Sequence, residues 1–119
     1  MAGLHDVVQA VSQRPGVEAV ILASGDGLTI EHASPPGRGP DADTIAALTA
    51  VLKQHAQDLG DAAGRGLFAT GVLEFNGGMM VLAALGDEGT LVLQVRPGTD
   101  IGELLFDLHR HRPAVVELL

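Results

Sequence analysis

The chain has 119 residues, 46% of them hydrophobic, with no cysteine, tyrosine or tryptophan and a formal charge of −8. That size suits one domain with an aliphatic core, and six scattered arginines beside a single lysine, Lys53, argue against nucleic acid and anionic membrane surfaces, which need clustered cations. The missing thiols exclude disulfides and thiolate metal sites and fit a cytoplasmic protein.

The first residues lack a basic stretch, so no signal peptide is expected. The longest apolar run, Met79 to Leu85, is far short of the roughly 20 residues that span a bilayer, and no membrane insertion is expected. Leu4, Val7, Val8 and Val11 recur at helical spacing and predict a first helix that Pro15-Gly16 ends. Val17 to Ala23 is β-branched and apolar, and Ser24-Gly25-Asp26-Gly27 supplies a tight turn into a second strand, Leu28 to Ala33. This second strand alternates apolar and polar residues, which places it at a sheet edge. Ser34 to Pro40, with three prolines, can only be a loop.

Asp41 or Asp43 then caps a long second helix of about six turns. Its core stripe is read as Ile45, Leu48, Leu52, Ala56, Leu59 and Ala63. Leu67 to Phe75, Met79 to Leu85 and Thr90 to Val95 are three strands separated by Asn76-Gly77-Gly78 and Gly86-Asp87-Glu88-Gly89, so they form an antiparallel meander. The middle strand is apolar on both faces, which requires helices on both sides of the sheet. Ile101, Leu104, Leu105 and Leu108 mark a third helix that Pro113 stops, leaving residues 113–119 as an apolar tail. The expected class is therefore an α/β (α+β) three-layer sandwich in the order α-β-β-α-β-β-β-α, forming a single domain over residues 1–119.

Motifs that carry chemistry are missing. Lys53 lies mid-helix with no glycine-rich loop before it. Gly37-x-Gly39-x-x-Ala42 fits a loose dinucleotide pattern, but Pro40 removes an amide and no strand leads into it. His109 and His111 sit about 200° apart on a helix and cannot share a metal there. Asp41 and Asp43 start like a calcium loop that Ile45 interrupts, and none of Ser12, Ser24 or Ser34 sits in a nucleophile elbow. No cofactor, metal site or catalytic residue is therefore expected, which lowers the standing of an enzyme and favours binding to another protein.

Leu4-x-x-Val7-Val8, Pro15-Gly16-Val17-Glu18-Ala19-Val20 and Ser24-x-Asp26-Gly27-Leu28 occur in the order of the roadblock signature. The likeness continues through Ile45-Ala46-Ala47-Leu48, the Gly77-Gly78 hairpin, and Leu91-Val92-Leu93 before Gly102. The chain thus resembles the roadblock (dynein light-chain type) family, and in particular bacterial members similar to the gliding regulator MglB. The resemblance implies a five-stranded antiparallel sheet with helix two on one face and helices one and three on the other. It also implies a homodimer in which third strands pair across a two-fold axis and the long helices lie side by side as a platform for a small Ras-like GTPase. The residues at that interface would be Leu67, Phe68, Thr70, Val72, Leu73 and Phe75 of the third strand with Ala47, Ala50 and Val51 of helix two. Lys53, Gln54 and Asp58 would meet the GTPase, whose own site would do the chemistry. An arginine finger from Arg38 or Arg65 has only loop placement and analogy with other activators behind it, and ordinary solvent exposure is the favoured reading of both. An exposed apolar strand edge supports the pairing independently, because such an edge invites a partner. The rival reading is a small-molecule sensor with a PAS-like or profilin-like core, built on Met79, Met80 and the glycine-rich turns.

Overall fold

The computed structural model describes residues 3–34 and 41–119. Its elements are α1 (Leu4–Ser12), β1 (Val17–Ser24), β2 (Thr29–Ala33), α2 (Ala42–Ala62), β3 (Thr70–Phe75), β4 (Gly78–Ala84), β5 (Gly89–Val95) and α3 (Ile101–Leu118). The strands form one antiparallel sheet in the order β2-β1-β5-β4-β3. The expected element order and layering are met, and β2 and β3 are the two edges.

Register decides which residues enter which layer, because side chains alternate across a strand. Val20, Leu93 and Val81 lie side by side on one face, and Ile21, Val92 and Leu82 on the other. The first face meets Val8 of α1 and Leu104, Leu108 and Val115 of α3 in the main core. On the second face Ile21, Ala23 and Val92 pack with Ala46, while Ala42, Ile45 and Met80 sit at the margin. Helix two crosses β1, β2 and β5, so the β3–β4 side of that face extends past it.

Helix two turns a different side inward from the one its leucines suggest. Ala42, Ile45, Ala46, Thr49 and Lys53 follow helical spacing and form its sheet-facing or buried positions, whereas Leu48 is 64% and Leu59 71% exposed, and Leu52 is exposed too. The core stripe read from the sequence is thereby corrected at Leu48, Leu52 and Leu59, whereas Ile45 does pack inward. Small residues let the helix approach the sheet closely, and Gly27 (φ +88°) makes the same kind of approach from the β1–β2 turn. A Cβ at Gly27 would lie 3.2 Å from the Ala50 side chain and 3.3 Å from the Ala47 backbone.

The N-terminus of helix two is fixed by Asp41, whose carboxylate accepts from the Thr44 amide at 3.2 Å and its hydroxyl at 2.6 Å. These hydrogen bonds, the side-chain one first, hold the Asp41 carboxyl below its ordinary value of 3.8. A depressed folded-state value stabilises the fold above pH 3.8 and loses that contribution as pH falls through the folded value. The protection factor of the Thr44 amide, its exchange rate relative to the unstructured rate at the same pH, should therefore fall on acidification through this window. In Asp41→Ala that protection should be low at all pH values; an unchanged acid profile in that variant would refute the assignment.

Helix three also departs from expectation. Pro113 lies inside it, and the helix runs on to Leu118. Proline costs a helix the bond to the carbonyl four residues earlier, here His109. Val115 is buried and Leu119 and Val116 pack against the core, and that burial keeps the last turns helical. The apolar tail is thus part of α3. The strand read as Leu67 to Phe75 starts at Thr70.

Candidate functional site

Edge strand β3 carries the features of a pairing surface. Its register with β4 sets Leu73 opposite Met80 and Phe75 opposite Gly78, which turns both side chains toward the helix-two face. Phe75 is 56% exposed, Leu73 and Val72 are exposed as well, and Leu67 just before the strand is 84% exposed. Helix two adds Leu48, Val51, Leu52 and Leu59, which recur at i, i+3, i+4 and i+11 on its outer side. Leu73, Phe75 and the outer leucines of helix two share the helix-two side of the sheet, whereas Val72 lies on its other face; exposed apolar surface of this kind is the common physical signature of an interaction site. Native sheets seldom leave such an edge open.

The individual site residues sort as follows. Leu67, Val72, Leu73 and Phe75 lie exposed on or beside the edge, and Val51 belongs to the outer stripe of helix two. Phe68 is half-buried, and its ring covers Gly71, where a Cβ would meet it at 3.2 Å. Thr70 turns the other way and accepts a hydrogen bond from Nη2 of Arg112 on α3. Ala47 and Ala50 flank Gly27 of their own chain. Gln54 donates to Asp58 at 3.1 Å on the exposed part of helix two. Arg38 and the Gly37-x-Gly39 pattern lie outside the described residues, and Arg65 is exposed in the turn after helix two.

Lys53 requires a correction. It is only 8% exposed, and its ammonium donates to the carbonyls of Gly86 at 2.6 Å and Gly89 at 3.2 Å. It therefore ties helix two to the β4–β5 turn and is not available to a partner. Burial lowers its pKa, and the nearby Asp87 carboxylate pulls it partly back up. Sequence periodicity misses this because the leucine stripe and the true inward side lie on different faces of the helix. Leu48, Leu52 and Leu59 are misplaced into the core for the same reason. A lysine surrounded by Ala46, Thr49 and Ala50 is the available signal, since small residues mark the close-packed side of a helix.

Met79 and Met80 border a shallow depression of about 250 Å³ with Phe75 and Gln94. A cleft of about 540 Å³ lies elsewhere, between α1 and α3. Among the described residues no three histidine, aspartate or glutamate side chains gather as metal ligands, and no helix is long and apolar enough to cross a membrane.

The Roadblock/LC7 domain model matches residues 4–95, which runs from α1 to the end of β5. The chain belongs to the Roadblock/LC7 family. Among solved structures, the roadblock fold of this chain is similar to Myxococcus xanthus MglB, with a TM-score of 0.86 at 18% identity, covering 96% of this chain and 92% of that one. The gliding protein MglB from Thermus thermophilus gives a TM-score of 0.84 at 19% identity and 99% and 93% coverage. A Roadblock/LC7 domain from Streptomyces avermitilis gives 0.82 at 23% identity and 96% and 95% coverage. No curated protein matches the chain. At these identities the likeness is one of fold, and this chain is MglB-like in that sense. Helix three lies beyond the residues matched by the family model yet falls within the span of the structural matches.

Proposed function

We propose that the chain is a single-domain, non-enzymatic, cytoplasmic scaffold that works as a homodimer and binds a small Ras-like GTPase. The observation that carries this reading is the apolar β3 edge, beside which helix two turns a leucine stripe outward instead of into its own core. Two copies related by a two-fold axis would pair their β3 edges into one ten-stranded sheet, which buries Val72, Leu73 and Phe75. The two long helices would then lie side by side, and Leu48, Val51, Leu52 and Leu59 would line the joint platform with Gln54 and Asp58 along it. The MglB fold neighbours and the Roadblock/LC7 membership support a regulatory partner of this type. The scaffold supplies no reacting group, so any change in hydrolysis rate would arise inside the GTPase.

Light scattering should give the mass of two chains at micromolar concentration, and a stable monomer would sink the dimer. Small GTPases of the same organism, loaded with GDP or GTP, should be retained by the immobilised protein in one nucleotide state. Retention in neither state would remove the GTPase from the proposal. Leu48→Glu with Leu52→Glu should abolish retention while thermal stability stays within roughly 0.5 kcal/mol, because both side chains already face solvent. Retention unaffected by the pair would place the GTPase elsewhere on the dimer.

A further inference from the structure

A chain without cysteine, tyrosine or tryptophan offers an oxidant few targets, and its readily oxidised side chains are the thioethers of Met1, Met79 and Met80. Met79 and Met80 are neighbours in β4. Successive strand residues point to opposite faces, so this pair divides between the layers: Met79 packs against the main core, while Met80 lies at the margin of the helix-two layer formed by Ile21, Ala23, Ala46 and Val92. Neither is sealed. Both are half-buried, and both border the depression of about 250 Å³ next to Phe75 and Gln94.

Of the two, Met80 adjoins the pairing edge. Its cross-strand partner is Leu73, and Phe75 stands diagonally beyond it, opposite Gly78, so the Met80 thioether shares a face with both exposed anchors of β3. Met79 faces the other layer, between Glu74 and Val95. When a hydroperoxide meets a thioether, a sulfur lone pair attacks one peroxide oxygen, an S–O bond forms and the O–O bond breaks. Sulfur is oxidised, the peroxide is reduced, and water or an alcohol leaves. The product sulfoxide puts a strongly polar oxygen on a side chain that was apolar. In the free chain that oxygen reaches solvent through the depression. Beside Leu73 and Phe75 in a joined sheet it would be withdrawn from water, and that cost opposes pairing.

We propose that Met80 is a peroxide-sensitive switch on self-association: its sulfoxide keeps the protein as single chains, and reduction of the sulfoxide restores pairing. The switch rests on the β3-edge dimer of the preceding section. Because pairing covers that face, the oxidant acts on the free chain.

The test treats the full chain with hydrogen peroxide, locates the added oxygen by peptide mass spectrometry, and follows association by light scattering through a dilution series. Protein oxidised at Met80 should dissociate at a concentration at least about tenfold higher than untreated protein, with its circular dichroism unchanged. Methionine sulfoxide reductase should reverse the change. Met80→Leu, of similar volume, should pair like the wild type and keep that affinity after peroxide, whereas Met79→Leu should stay sensitive. Oxidation of Met80 should also slow as the protein concentration rises. Should Met80→Leu fail to fold, the reductase and Met79→Leu still decide. Untreated protein that is monomeric throughout would remove the dimer and the switch together. An untreated dimer whose affinity survives full oxidation of Met80, a sensitivity that persists in Met80→Leu, or unfolding on oxidation would overturn the switch and leave the dimer standing.

Discussion

Leu73→Asp combined with Phe75→Asp is expected to convert the protein from two chains to one of 12.2 kDa in light scattering, with its circular dichroism unchanged. Both side chains are exposed in the single chain, so placing carboxylates there costs the monomer little. In a dimer the same carboxylates would face each other across the two-fold axis within a desolvated strip, where like charges oppose association strongly. Loss of the two aromatic and aliphatic anchors alone should weaken pairing by about 3 kcal/mol, or roughly a hundredfold in Kd. The double variant should also lose GTPase retention, since the platform needs two helices. A variant that stays dimeric would show that the chains meet through another surface, and one that turns out unfolded would assign Leu73 and Phe75 to the core instead.

The second large effect is expected at Lys53. Lys53→Met keeps the length of the side chain but strands the Gly86 carbonyl and removes one of two bonds at Gly89, whose oxygen still accepts from the Leu85 amide. Losing charge-assisted bonds outweighs the relief of no longer burying an ammonium, so stability should fall by about 2 kcal/mol and the melting temperature by roughly 6–8 °C for a chain of this size. Burial lowers the folded-state pKa of Lys53 below the ordinary 10.5. Between those two values the unfolded chain holds the extra proton, so wild-type stability rises with pH there. Lys53→Met should lack that rise, and its dimer and GTPase affinities should match the wild type. A melting temperature unchanged by the substitution would show that the ammonium is not engaged with the turn.

Much of this architecture is legible in the residues themselves. Strand alternation, the glycine turns and the two-sided apolar run from Met79 to Leu85 dictate the meander and its two helical layers, because a pleat leaves each side chain only two directions. Helix two resists the same treatment. Its alanines and leucines are all apolar, so hydrophobicity cannot tell which stripe faces the sheet; the choice is made by size, as Ala46 and Gly27 allow a close approach that Leu48 would block. Sequence reasoning ends helix three too early, at Pro113, for a related reason: proline has a strong local penalty, and only the burial of Val115, a long-range fact, offsets it. The exposed apolar character of the β3 edge is readable through Phe75, Leu73 and Val72. The tie between Arg112 and Thr70 is not, since the two residues are 42 positions apart in the chain.

The unequal edges of the sheet bear on how large an assembly this protein can build. At β2 the outer strand carries Glu31, 3.3 Å from the His5 ring of α1, and His32, and it alternates polar with apolar positions. At β3 the edge is apolar. If like pairs with like at β3, each new contact consumes both adhesive edges at once and leaves only the two charged β2 borders outside. Under that proposal growth would terminate after a single step, and an otherwise fibre-prone strand would become a means of counting to two.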